Sequence, residues 1–318
     1  MEERLEEILK LAVKRKVSDI HLTIRNNELT IEFRVFDKLT KIKTKENDIK
    51  LIQYLQFKAN LDMGNLVDPA SGRFETIVND KVLALRYSII YSQGIVNGVL
   101  RILNYDFKLS VDNLSMIKKQ TEYFKEINKF KYGLLLFSGS TSSGKTTTLY
   151  TILNYLDNKK IFTIEDPIEV YSTKLIQLQV NEKQGLTYDG GIKQLLRHDP
   201  DIIMIGEIRD REAANMAIRA SLTGHLVVAT IHSYNPIGVI YRLMELGISK
   251  QLLSDVLIGI VNQRLYKKYQ KDERMAVYEI CQRKDLLYFL ENDKFPKEYH
   301  DIEYFEKKAL KEKYIEIK

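Results

Sequence analysis

The segment Gly139-Ser-Thr-Ser-Ser-Gly144-Lys145-Thr146 has the spacing G-x-x-x-x-G-K-[ST], a pattern built to hold phosphates. Glycines let the backbone curl so that the N–H groups of Gly139, Ser140, Thr141, Ser142, Ser143 and Gly144 turn inward on anionic oxygens. The positive end of a following helix adds to that field. Lys145 supplies a point charge for the terminal phosphates of ATP. The Thr146 hydroxyl is placed to ligate Mg²⁺, and Thr147 completes the nucleotide-binding set. Such a loop needs a strand before it and a helix after it. The apolar run Leu134 to Phe137 supplies the strand, and Leu149, Ile152, Leu153 and Leu156 recur at helical spacing behind the loop.

Further short apolar strands are expected at 161–164, 202–205 and 226–231, alternating with helical stretches as in a parallel sheet buried on both faces. Each ends in a polar group: Glu165-Asp166, Gly206-Glu207 and His232. Ligands of open α/β sheets bind outside the carboxyl ends of the strands, so these ends and the phosphate loop should converge on one nucleotide. ATP hydrolysis needs a metal between phosphates, a group that orients or deprotonates water, and positive charge on the leaving oxygens. Glu165 and Glu207 are the candidates for the water and for outer-shell metal contact. Gly206 stands where an Asp usually holds the metal, so Glu207 does the acidic work alone or shares it with Glu165. His232 and His225 are candidates for sensing the γ-phosphate, against an ordinary packing or capping role for each. No histidine has metal-ligand spacing, and no zinc is expected.

The elements that position these residues fall into two parts. Leu5, Ile8, Leu9, Ala12 and Val13 make one face of an opening helix, followed by alternating segments at 20–24 and 31–35, a helix over 47–60, and strands at 74–78, 82–90 and 99–103. Asn97-Gly98 reads as the turn between the last two. Residues 1–104 therefore read as an N-terminal α+β domain with an antiparallel sheet, 105–112 as a linker, 113–235 as the ATPase core, and 236–318 as a mostly helical region. Arg86 and Arg101 sit in strand patterns that a reversal around 91–97 would bring together. Arginines in apolar strands want an anionic partner, which is either a local carboxylate or the nucleotide.

At 318 residues the chain can bury two cores. Lys+Arg at 49 against Asp+Glu at 43 leaves +6, a mild excess compatible with an acidic membrane face without requiring one. The single Cys281 builds neither an internal disulfide nor a four-cysteine zinc site, which points to the cytosol. The opening MEERLEEILK is charged throughout and is no signal peptide, and the apolar run Val256 to Val261 is too short to span a bilayer. Aromatic–basic interleaving of the kind that stacks single strands is missing, so no direct nucleic-acid partner is expected.

These motifs together resemble the bacterial type II secretion and type IV pilus assembly ATPases (GspE/PilB-like). Ser18-Asp-Ile-His21 looks like the family's N-terminal signature, Gly139 to Thr148 its Walker A loop, and Thr163-Ile-Glu-Asp-Pro-Ile-Glu169 its Asp box. Arg197 to Asp201 through Gly206-Glu-Ile-Arg-Asp210 resembles its Walker B segment, and Thr223-Gly-His-Leu226 through Thr230-Ile-His232 its His box. The resemblance implies a RecA-like P-loop NTPase core with a PAS-like N-terminal domain. It also implies a hexameric ring at the inner face of the cell membrane, working on a polytopic platform protein to drive fibre assembly. By the same resemblance Glu165 is the general base, Glu207 organises Mg²⁺, and Arg86 and Arg101, with Arg73 as a third, act as fingers on the nucleotide. Gln263-Arg-Leu265 runs to Arg274 without the four-cysteine module of many assembly members, and the chain begins almost at Ser18-Asp-Ile-His21. Both features resemble the short competence-type traffic ATPases that serve DNA uptake. The segments 179–187 and Asp201-Ile-Ile-Met look like assembly members rather than retraction motors.

Overall fold

The computed structural model describes residues 1–35, 38–64, 68–103, 109–181, 185–271 and 273–316. The chain divides into two compact units, Met1–Phe107 and Lys108–Lys318. Residue 104 of the expected N-terminal domain, 105–108 of the expected linker and 182–184 of the assembly-like segment lie outside the described residues.

The first unit opens with α1 (Glu2–Lys14), whose Leu5, Ile8, Leu9 and Ala12 are buried. Glu2 and Glu3 in its first turn and Lys14 in its last complement the helix dipole. The strands β1 (Asp19–Arg25), β2 (Glu28–Val35) and β3 (Lys38–Ile42) follow, then α2 (Leu51–Lys58). A second antiparallel set, β4 (Ala70–Val78), β5 (Lys81–Ser92) and β6 (Ile95–Ile102), completes a sheet of order β3-β2-β1-β6-β5-β4. One face is apolar, with Ile20, Leu22, Ile31, Phe33, Leu85 and Leu100 among the side chains packed with the helices. The expected helix over 47–60 is a 3₁₀ turn running into α2.

The turn expected at Asn97-Gly98 is not there. The chain reverses at Gln93-Gly94, both with positive φ, +46° and +77°, as a type I′ hairpin requires. Gly98 lies inside β6 opposite Ile89, where a Cβ would fall 2.4 Å from the Tyr87 hydroxyl oxygen. Its lack of a side chain makes room for a buried ring rather than for a bend.

The second unit holds α3 (Lys118–Lys125), β7 (Gly133–Ser138), α4 (Lys145–Tyr155), β8 (Ile161–Glu165), β9 (Ile176–Gln179), α5 (Tyr188–Leu195), β10 (Ile202–Ile205), α6 (Arg211–Leu222) and β11 (Leu226–Ile231). It continues through α7 (Pro236–Glu245), α8 (Lys250–Val256), β12 (Leu257–Lys268), β13 (Arg274–Gln282), α9 (Arg283–Asn292), α10 (Ile302–Lys311) and β14 (Ile315–Glu316). The sheet order is β13-β12-β7-β11-β10-β8-β9, with β14 on β12; β12 to β9 run parallel, while β13 and β14 pair antiparallel. Every residue of β7, β8, β10 and β11 is buried. Side chains of α6, α7 and α8 cover one face, and those of α3 and α4 the other.

The sheet does not end at residue 235. Helices were expected through 257–268, but β12 pairs in parallel with β7 and carries β13 beside it. Its first seven residues are all buried, so no alternation marked it as a strand. Val111 and Leu114 belong to the core of this unit, so the expected linker is packed from Val111 onward. The short strands β3 and β9 had no expectation in the sequence.

Candidate functional site

β7 delivers the chain into the phosphate loop, where Gly139 (φ +147°), Ser142 (φ +63°) and Gly144 (φ +87°) take backbone conformations that curl it. A Cβ at Gly139 would stand 2.4 Å from the Gln263 carbonyl oxygen of β12. Gln263 also donates from Nε2 to the Ser143 carbonyl at 2.6 Å. Lys145 opens α4 with its Nζ donating to the carbonyls of Gly139 and Ser140, both at 2.9 Å. Burial lowers its pKa, while Glu207 and Glu169 pull it back upward. Ser140, Thr141 and Ser142 are exposed, Ser143 is buried, and Thr146 and Thr147 are half-buried on the first turn of α4. The loop is thus folded on its own lysine, which gives two of its three donors to loop carbonyls.

β8 and β10 are neighbours, with Ile164 opposite Ile205, so Glu165 and Gly206-Glu207 end side by side. A Cβ at Gly206 would lie 3.2 Å from the Cα and Cγ of Glu165, so the glycine leaves room for that acid. Glu165 is only 2% exposed. Its Oε1 accepts from Tyr150 OH at 2.5 Å and Thr163 Oγ1 at 2.7 Å, with Gln177 Nε2 at 3.4 Å. Burial holds its pKa above the ordinary carboxylate value, and those three donors work against that rise.

Glu207 sits between Arg209 and His232. Arg209 Nε donates to its Oε2 at 2.7 Å, and His232 Nε2 lies 3.2 Å from its Oε1. Arg209 also reaches toward Asp166 at 3.7 Å. Thr230 of β11 donates to the Gly206 carbonyl at 2.5 Å and ties the two strand ends together. The structure therefore gathers Glu165, Glu207 and His232 on neighbouring carboxyl ends of the strands, with Ser138 at the end of β7 opposite Ile231 leading into the loop.

His225 does not join them. It precedes β11 at the amino end of the sheet, where its carbonyl accepts from Gly133 and its Nδ1 lies 3.2 Å from Thr223 Oγ1. The six residues of β11 separate it from His232, which at the usual strand rise is about 23 Å. Its described contacts, to Thr223 and Gly133, are those of a cap at the start of the strand.

In the first unit, Arg86 stands opposite Arg101 on one side and Arg73 on the other. Arg101 is opposite Asp19 in β1, and Asp19 is opposite Arg34 in β2, so these residues form one row across five strands. Arg101 Nε donates to Asp19 Oδ1 at 2.7 Å, and Arg86 Nη2 to Ser71 Oγ at 3.4 Å.

Sequence reasoning missed Tyr150, Gln177, Arg209 and Gln263. Thr163 was within reach, since it lies two residues before Glu165 on the same strand face. Tyr150, Gln177 and Gln263 come from separate elements, and only the tertiary fold brings them to the site.

A parallel sheet with a phosphate loop after one strand and acids at the ends of its neighbours defines a RecA-like P-loop NTPase. The chain matches the family described as Type II/IV secretion system protein over residues 1–303. It is 36% identical over 300 residues to Competence protein ComGA of Bacillus subtilis, covering 88% of this chain and 84% of that one. It is 38% identical over 265 residues to Type II secretion system protein E of Pseudomonas aeruginosa, covering 82% of this chain and 53% of that one. The crystal structure of the pilus retraction motor PilT with bound ADP superposes with a TM-score of 0.71 at 27% identity, covering 98% of this chain and 94% of that one. The ATPase DotB of Legionella pneumophila shares the fold, with a TM-score of 0.77 at 18% identity over 98% of this chain and 92% of that one. The chain belongs to the type II/IV secretion system protein family and is an ATP-hydrolysing enzyme. Among the described residues no helix is long and apolar enough to cross a membrane.

Proposed function

We propose that the chain is a motor that converts ATP hydrolysis into assembly of a type IV pilus-like or competence pseudopilus fibre. The observation that supports this reading most is the shared edge of β8, β10 and β11, where Glu165, Glu207 and His232 stand beside a phosphate loop carrying Lys145 and Thr146. In this reading Glu165 takes the proton of the attacking water. Lys145 leaves the loop carbonyls for the phosphates, and His232 and Arg209 hold Glu207 in place. Arg86 and Arg101, with Arg73, are the arginine fingers of this reading.

Mg²⁺ suits this donor set. It is bound by one or two oxygen ligands plus substrate phosphates and several waters, and the half-buried Thr146 hydroxyl and the Glu207 carboxylate provide that much. Among the described residues no group of three or more His, Cys, Asp or Glu forms a self-sufficient metal cage, and this chemistry does not need one. Bound there, Mg²⁺ would supply charge between the β- and γ-phosphates.

The working assembly in this reading is a hexameric ring on the cytoplasmic face of the membrane, docked on a polytopic platform protein. The competence and type II secretion relatives support this at 36–38% identity. Fibre retraction is the alternative reading, favoured by the PilT likeness at 27% identity. The test is Mg²⁺-dependent phosphate release without any acceptor. Wild type should release phosphate. Lys145→Ala should lose turnover by roughly 10²-fold or more, and Glu207→Gln should keep nucleotide bound while stopping hydrolysis. Wild-type turnover in Lys145→Ala would refute the site. Tight DNA binding at physiological salt, with fibre proteins absent, would favour a nucleic-acid motor instead.

A further inference from the structure

Three side chains converge on the same oxygen of Glu165. Tyr150 comes from α4, Thr163 from β8 and Gln177 from β9, and each points at Oε1. Thr163 and Gln177 are partners in the β8–β9 register, so their side chains share a sheet face with Glu165. Gln177 Nε2 gives its two protons to Tyr150 OH at 2.7 Å and the Val170 carbonyl at 2.8 Å, so its 3.4 Å approach to Oε1 is the weakest of the three contacts. A phenol has one proton to give. With Gln177 donating to it, Tyr150 gives that proton to Glu165, and the bonds form a polarised chain, Gln177 to Tyr150 to Glu165. Among the described residues none donates to Oε2.

We propose that Tyr150 is a positioning residue for hydrolysis: with its hydroxyl oriented by Gln177, it shares Oε1 of Glu165 with Thr163, fixes the carboxylate plane, and leaves Oε2 to receive the proton of the attacking water. This rests on the reading of Glu165 as general base. In the step it serves, the water oxygen bonds the γ-phosphorus, its proton passes to Oε2, and the bond from phosphorus to the bridging oxygen breaks with its electron pair leaving on ADP. The proton on Oε2 then departs with solvent as inorganic phosphate is released.

Two physical consequences follow from the geometry. A carboxylate torsion is broad and nearly two-fold, so an unclamped Glu165 would present either oxygen. The Tyr150 and Thr163 hydroxyls on one oxygen remove that degeneracy. Tyr150 also lies on the helix that begins with Lys145 and Thr146. Five residues of α-helix span about 7.5 Å, so one rigid element sets the base relative to the phosphates. The same donors oppose the rise that burial gives the Glu165 pKa.

Tyr150→Phe in the full chain tests this, because it removes one hydroxyl and keeps the ring. The expected result is a kcat lower by about 10- to 100-fold, as for a misplaced catalytic group, with ADP affinity changed less than about twofold. The acidic limb of the kcat profile should move to higher pH, because the buried carboxylate has lost a donor. Gln177→Leu should give the same kcat-selective loss, smaller in size, and serves if Tyr150→Phe folds poorly. The double variant Glu165→Gln/Tyr150→Phe should be no slower than Glu165→Gln alone in single turnover. An inactive Glu165→Gln beside a Tyr150→Phe of wild-type kcat and pH profile overturns the proposal. So does a double variant slowed by the full Tyr150→Phe factor. Wild-type turnover in Glu165→Gln would remove the base itself and the proposal with it, a different and separately recognisable failure.

Discussion

The side-chain amide of Gln263 donates to the Ser143 carbonyl at 2.6 Å, so a strand 120 residues further along the chain braces the phosphate loop. The Gln263 carbonyl lies against Gly139, and its Nε2 against Gly144. One residue of β12 thus touches the loop at both glycines. Both groups of the bond are buried, so breaking it leaves a desolvated carbonyl at a cost of about 1–3 kcal/mol. Gln263→Ala should weaken ADP binding by roughly tenfold, while the change in kcat at saturating ATP stays small, because the loop loses shape rather than chemistry. Titration calorimetry with ADP measures it; unchanged affinity would mean the loop holds its curl unaided.

The arginine row makes a prediction in which stability and activity part company. Arg86 stands directly between Arg73 and Arg101, and like charges opposite one another destabilise a sheet. Its own hydrogen bond to Ser71 is long at 3.4 Å. Arg86→Ala should therefore leave the midpoint of thermal unfolding unchanged or slightly raised while turnover falls at least about tenfold. Arg101→Ala should lower turnover too, but it also strips Asp19 of an ion pair. Because the Arg101 side chain is 57% exposed, that cost is about 0.5–1 kcal/mol. If both variants hydrolyse ATP at the wild-type rate, the row serves the fold alone.

A second buried acid allows a pH prediction. Glu279 of β13 is 2% exposed, and it accepts from Asn262 Nδ2 at 3.1 Å and Tyr299 OH at 2.5 Å. Burial raises its pKa, with the two donors opposing. A carboxyl whose folded pKa is raised binds more protons folded than unfolded. Its contribution to stability is then full below the ordinary glutamate value and is lost as pH rises through the folded one. Wild type should therefore gain stability relative to Glu279→Gln as pH falls from about 8 to about 5. Urea midpoints of the two proteins across that range test it, and a difference that stays flat with pH would show that Glu279 keeps its unfolded pKa.

How much of this was legible beforehand follows the physics of each signal. β7, β8, β10 and β11 were readable because a strand buried on both faces is an uninterrupted apolar run. Lys145, Thr146, Glu165 and Glu207 were readable because strand ends in a parallel sheet meet at one edge. β12 was not, since an apolar run reads equally as a buried helix until its partner β7 is known. His225 and His232 were grouped because the sequence gives a strand's two termini without their separation in space, and the structure puts them at opposite ends of β11. The clamp on Glu165 is tertiary throughout, as α4, β8 and β9 converge on it only once the sheet is ordered.

Gly98 shows how a turn-forming dipeptide can be needed for packing instead. Asn97 Nδ2 donates to Thr23 Oγ1 at 2.8 Å, and Gly98 pairs with Leu22 and Ile89, so both residues are ordinary members of β6. The Tyr87 ring is fully buried and lies where a Cβ on Gly98 would go, with ring and hydroxyl atoms at 2.4–2.9 Å. The backbone at Gly98 has no positive φ, so a side chain there meets no conformational strain, and the only penalty is overpacking. Gly98→Ala should destabilise the N-terminal unit by about 1–3 kcal/mol. Tyr87→Phe should relieve part of that cost, because it removes the nearest atom. Gly94→Ala, at φ +77° with open space around it, should lose stability for the opposite reason. Denaturant midpoints of the single variants and of Gly98→Ala/Tyr87→Phe separate the two mechanisms: coupling between positions 87 and 98 marks a steric origin, and strict additivity would rule it out.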